Sequence, residues 1–128
     1  MFFLVMLVLS SIGLMVGGVG VVAIMMISVT ERTREIGVRK AIGARRREIL
    51  WQFLVEAATL TFIGGAIGLV AGGLVSFAIN QFTPLPASVP FWSVVAALSA
   101  SILTGVFFGI YPAARAARLD PVEALRYE

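Results

Sequence analysis

The sequence predicts an all-α membrane protein, with three transmembrane helices, a short cytoplasmic helix after the first, and a short amphipathic helix at the C-terminus. Three observations carry that prediction. Of the 128 residues, 59% are hydrophobic and only 13% are charged, where an ordinary soluble domain carries about a quarter charged. A chain this short buries too small a fraction of its surface to hide so much apolar area. Three segments supply the roughly 20 apolar residues needed to cross a ~30 Å hydrocarbon layer. Between them lies a polar island, Ser28 to Glu48, holding seven of the ten basic residues.

The first span, Phe2 to Ile27, has no charged residue. It is too long for a signal peptide and lacks the basic n-region, so it reads as a retained span. In the island, Ser28-x-x-Glu31 has the pattern of a capping box, with Ser28 as N-cap. Glu31 and Arg34 are spaced i, i+3 and Glu35 and Arg39 i, i+4, both favourable on a helix. Ile36, Lys40 and Gly43 share one side of that helix, and Arg32, Glu35 and Arg39 another. Gly37 and Gly43 each weaken a helix interior by about 1 kcal/mol relative to alanine, so a break is expected around Gly43. Arg45, Arg46 and Arg47 then begin the second helix at headgroup level.

The second span, about residues 49–79, is longer than a bilayer requires. Its start, with Trp51, Gln52 and Glu56, is expected at the interface or in a polar cleft. A carboxylate within a span is costly unless partnered. Glu56 is expected to reach interfacial water or an arginine of the island. The third span covers Phe91 to about Tyr111, and Pro112 is expected to end or kink it. Asp120 then suits an N-cap, Pro121 the first helical position and Glu123 the third. The resulting helix would place Val122, Leu125 and Tyr127 on its apolar side.

Orientation follows from basic residues in short loops. The island and the tail (Arg115, Arg118, Arg126) carry all of them, while the loop Asn80–Pro90 carries no charge. The island and the C-terminus are therefore expected in the cytoplasm, and Met1 and the Pro-rich loop outside. Whether the chain is a natural small subunit or part of something longer stays open.

Composition also excludes functions. The isoelectric point is near 10.2, yet the basic residues flank apolar spans with no aromatic interleaving, which argues against nucleic acid as a partner. With no cysteine or histidine, the chain has no disulfide, no Cys or His metal ligand and no visible catalytic constellation. Lys40, the single lysine, follows no phosphate-cradling glycine loop. Small-residue repeats run through the spans at Gly13 and Gly17, at Gly64, Gly68 and Gly72, and at Gly105 and Gly109. In lipid such residues let helices approach closely. They either nest the three helices of one chain or, along Gly64–Gly72, form a dimer seam or sliding surface. A topology signal needs only basic residues. The interleaved Glu31, Glu35, Gly37, Ala41, Gly43 and Ala44 suit a surface that docks on another protein.

The stretches "SVTERTREIGVRKAIGARRREIL" and "FGIYPAARAARLDPVEALRYE" strongly resemble the C-terminal permease region of the MacB/FtsX-like ABC transporter family. The resemblance covers essentially the whole chain. It implies the last three of the family's four spans, without the first span and the large outer domain. It implies an inner-membrane permease that transmits force, with ATP and Mg on a partner ABC ATPase and no cofactor or catalysis in this chain. It further implies a homodimer or heterodimer of permeases in the bilayer and a periplasmic adaptor as a further partner. The alternatives are an FtsX-like regulator relaying force to cell-wall hydrolases, which the same resemblance allows, or a non-functional truncated fragment. The coupling helix resting on the ATPase would map to Thr30, Glu31, Arg32, Thr33, Arg34, Glu35, Ile36, Gly37, Arg39, Lys40, Ala41, Gly43 and Ala44. The segment beginning at Leu119, with Asp120, Pro121, Glu123 and Leu125, would adjoin the same surface.

Overall fold

A computed structural model describes residues 1–126. Five helices follow in order: α1 (Phe2–Glu31), α2 (Thr33–Ala41), α3 (Arg46–Phe82), α4 (Phe91–Ala117) and α5 (Pro121–Arg126). Three of them, α1, α3 and α4, are long and apolar enough to cross a membrane. All are longer than the sequence reading, and α3, with 37 residues, reaches about 55 Å at 1.5 Å per residue. Their surplus turns lie mostly beside the island.

Two boundaries differ from the sequence reading. Ser28 is not an N-cap, because α1 continues through it to Glu31. Thr30 does not interrupt the helix, since its hydroxyl donates to the Met26 carbonyl at 2.9 Å, a local bond that leaves the helical ladder intact. The break falls instead at Arg32, whose backbone closes α1 and opens α2. Pro112 does not end α4 either. It has no N–H for the Phe108 carbonyl, yet five further residues stay helical. Ala113, Ala116 and Ala117 are buried in the core, and that burial holds the last turns in place.

The core sits at the island end of the bundle. Val21, Met25 and Val29 from α1 meet Ile36 from α2, Ile49, Phe53 and Ala57 from α3, and the alanines of α4. Phe53 and Met25 fill its centre. The first seventeen residues, by contrast, are all exposed in the single chain. Helices α3 and α4 are the most closely associated pair. A Cβ on Gly109 would lie 2.6 Å from the Ala57 Cβ, and one on Gly105 would collide with Thr61. Gly65 against Ser101 and Gly18 against Phe108 are equally tight. A Cβ on Gly13, Gly17, Gly64, Gly68 or Gly72 would meet nothing within 4 Å, so packing against the other helices of this chain does not require a glycine there. Gly13, Gly17 and Gly64 line an open cleft between α1, α3 and α4 instead. The small-residue spacing is the same in both groups.

Several hydroxyls within the spans bond carbonyls of their own helix, as suits a lipid surrounding. Ser11 donates to Leu7, Thr59 to Val55 and Thr104 to Ala100, all at 2.7–2.8 Å. The Pro-rich loop is pinned back on α3. The Ala87 N–H donates to Asn80 Oδ1 at 2.8 Å, and Ser76 Oγ donates to the Ala87 carbonyl at 3.1 Å.

Candidate functional site

The island folds into α2 and a sharp turn. At its C-terminus the Gly43 N–H donates to the Lys40 carbonyl at 3.1 Å, and the Ala44 N–H to the Arg39 carbonyl at 3.0 Å. These two bonds form a Schellman motif, which needs a left-handed residue between them. Gly43 supplies it with φ of 108°, a conformation costly for any residue with a Cβ. The chain then enters α3, where Glu48 Oε2 accepts the Arg45 N–H at 3.2 Å.

Three attachments fix α2 to the spans. The first is a carboxylate shared between arginines. Glu35 accepts from Arg32 Nε at 3.3 Å and from Arg39 Nη2 at 2.5 Å. Arg32 also donates to Glu56 at 3.4 Å and lies 5.9 Å from the Phe53 ring centroid. Arg39 donates to Gln52 at 2.6 Å. The α2 helix is thereby tied to α3 at two levels. The hydrogen bond from Arg32 holds the Glu35 carboxyl below its ordinary range. Its bond to Glu35 likewise raises the Arg32 guanidinium.

The second attachment is Lys40. Its ammonium donates to the carbonyls of Ala117 and, at 2.5 Å, Leu119. Helix α4 ends there with carbonyls that have no intrahelical donor, and a cation is the natural cap. Burial, and then repulsion from Arg46, push the Lys40 ammonium below its ordinary range, with Asp120 opposing them. The third is Gly37. A Cβ there would come 2.6 Å from the Ala124 Cβ, so α5 lies directly on α2. Asp120 caps α5 as expected, accepting the Val122 N–H on Oδ1 at 2.8 Å. The expected apolar side of α5 does not. Val122 and Leu125 are exposed and Ala124 is buried, because contact at a glycine admits only a small residue. Tyr127 lies outside the described residues.

The thirteen candidate residues of the island divide into two sets. Thr33, Ile36 and Gly37 are buried, and Arg32, Arg39, Lys40 and Ala44 are half-buried. Most of this set binds α2 to the bundle. Thr30, Glu31, Arg34, Glu35, Ala41 and Gly43 are exposed. Two residues that sequence reasoning missed belong with these: Val38 and Ile42 are exposed, Ile42 by 81%. Arg34, Val38 and Ile42 follow the i, i+4, i+8 spacing of one face of α2 and its C-cap, and Glu31, exposed at the end of α1, precedes them across the break at Arg32. The signal was present in the apolar residues that fall out of phase with Ile36.

A permease-family model, FtsX-like permease C-terminal, matches residues 3–121. The chain belongs to this family. Among its relatives is a macrolide export ATP-binding/permease protein MacB of Rhodopirellula baltica, 48% identical over 95% of this chain and 18% of that protein. The MacB of Syntrophobacter fumaroxidans is 50% identical over 96% of the chain and 17% of its own length. An uncharacterized ABC transporter permease, YknZ of Bacillus subtilis, is 48% identical over 94% of the chain and 30% of its own length. The chain thus spans less than a third of these relatives. The FtsX-like segment provides three helices able to cross a membrane and, at one end of them, a small helix anchored on three sides with its fourth side open.

Proposed function

We propose that this FtsX-like segment is the force-transmitting part of an ABC transporter permease and that α2 is the element its ATPase pushes. The observation that supports this most is the division of α2 into an anchored side and an open side. The anchored side reaches α3 through Glu56 and Gln52, α4 through Lys40, and α5 through Gly37. A load on α2 would therefore reach two of the membrane-crossing helices at once. The open side mixes Glu31 and Arg34 with Val38 and Ile42. Exposed apolar residues flanked by charges suit a specific protein interface better than a solvated surface. ATP and Mg would reside on the ATPase. The relatives named MacB carry ATP-binding and permease functions under one name, which fits a motor placed next to such a segment.

Two further readings belong here. A second permease chain would pack on the open glycine faces of α1 and α3, where small residues permit close approach. The island and the C-terminus would lie in the cytoplasm, with the Pro-rich loop outside.

The docking reading is tested with Val38→Asp and Ile42→Asp, which alter side chains that anchor nothing in this chain. Each is expected to reduce recovery of the cognate ATPase on co-purification of the full permease by tenfold or so, on the order of the ~1–2 kcal/mol carried by an interface anchor. Membrane insertion is expected to be unchanged. Full ATPase recovery with both variants would remove the docking role from this face.

A further inference from the structure

The foot of α4 carries a pair of adjoining cavities unlike in character. One is a groove of about 540 Å³ along a single face of α4, walled by Phe107, Ile110, Tyr111 and Ala114 and closed by Arg115 and Arg118. The other, about 380 Å³, lies at the turn into α5 and is lined by Lys40, Arg46, Arg118 and Asp120 among others. Arg118 lines both.

We propose that together they form a binding site for one anionic phospholipid, its phosphate between Lys40, Arg46 and Arg118 and an acyl chain along Phe107, Ile110 and Tyr111. Three cations face a single carboxylate, and Asp120 already accepts the Val122 N–H. Neither Arg46 nor Arg118 makes an ion pair among the described residues. Lys40 uses two of its three hydrogens on backbone carbonyls and keeps one. Like charges held together in this way ask for an anion, and burial of Lys40 beside Arg46 sharpens the demand.

The order along the helix selects a lipid over other anions. From Phe107 to Arg118 is about 16 Å along the axis at 1.5 Å per residue, with an apolar wall first and cations after it. That is the order a phospholipid presents from acyl chain to headgroup. A free phosphate would use the cationic cavity alone, and an acidic protein segment would have no use for an apolar groove on a membrane-crossing helix. Basic pockets at the end of spanning helices are suited to anionic headgroups, each Lys or Arg contributing about 1 kcal/mol near the surface. The site does not depend on which partner α2 meets.

Native mass spectrometry of the chain, extracted from an equal mixture of phosphatidylglycerol and phosphatidylcholine with identical acyl chains, tests this. One phosphatidylglycerol is expected to stay bound in preference to phosphatidylcholine. Arg46→Gln and Arg118→Gln should each lower that preference about five-fold, Arg118→Lys should keep most of it, and Arg34→Gln on the open face of α2 should leave it unchanged. Equal retention of the two lipids would overturn the proposal. So would an equal fall with Arg34→Gln, which would mean diffuse surface charge. Displacement of the bound lipid by millimolar inorganic phosphate would show an anion site without a lipid groove and would overturn it as well.

Discussion

Single residues at the island do unequal work. The Arg32–Glu56 contact joins α2 to a carboxylate inside α3, but its side chains are 32% and 42% exposed. Water screens such pairs, and they contribute about 1 kcal/mol or less. Their role is to set the position of α2 more than to hold the fold. Gly37 is different, because the Ala124 Cβ occupies the place of its missing side chain. Gly37→Val is expected to push α5 off α2 at an overpacking cost of about 1–3 kcal/mol. Limited proteolysis would then cut near Leu119 in the variant and spare the parent; equal resistance of both would refute the contact. The contact of Glu56 with an island arginine was legible in the sequence as one of two outcomes, the other being interfacial water. Gly37 against Ala124 was not, because nothing in a string of small residues says which of them meets a neighbour.

At the scale of elements, three helices able to span a membrane and the break at Gly43 followed from hydropathy and from the glycine's conformational freedom. The Ser28 cap did not hold, and of the two outcomes expected at Pro112, an end or a kink, α4 does not end there. In both cases a local signal lost to its surroundings. The apolar helix carries through Ser28 to Glu31, and buried alanines lie beyond Pro112, where α4 stays helical. Glycine repeats show the same dependence on context. Gly109 lies against Ala57, whereas a Cβ on Gly68 would meet nothing within 4 Å. Gly109→Leu is expected to separate α4 from α3 and lower the thermal midpoint of the chain in detergent. Gly68→Ala is expected to leave the midpoint unchanged or raise it, since alanine is favoured by about 1 kcal/mol in a helix interior. Equal destabilisation by the two would contradict close packing of Gly109 on Ala57.

For the whole molecule the decisive feature is polarity along its long axis. Core, ion pairs, caps and both short helices gather at one end, and the far half of α1 is exposed in the single chain. Under the proposed function, force entering at α2 would meet a core block drawn from all three long helices. A cysteine at Ser88 in the Pro-rich loop is expected to react with a membrane-impermeant thiol reagent in intact cells. Labelling only after lysis would invert the orientation and put α2 on the wrong side of the membrane for an ATP-driven motor.

The account stands on contact between the open face of α2 and the ATPase. A photo-reactive amino acid at Ile42, in the full permease assembled with its ATPase, measures that contact most directly, with Leu103, exposed on α4, as the reference position. The account predicts a cross-link from position 42 to the ATPase, changed in yield by ATP, and none from position 103. Cross-links from position 42 to lipid alone, with or without ATP, would contradict it.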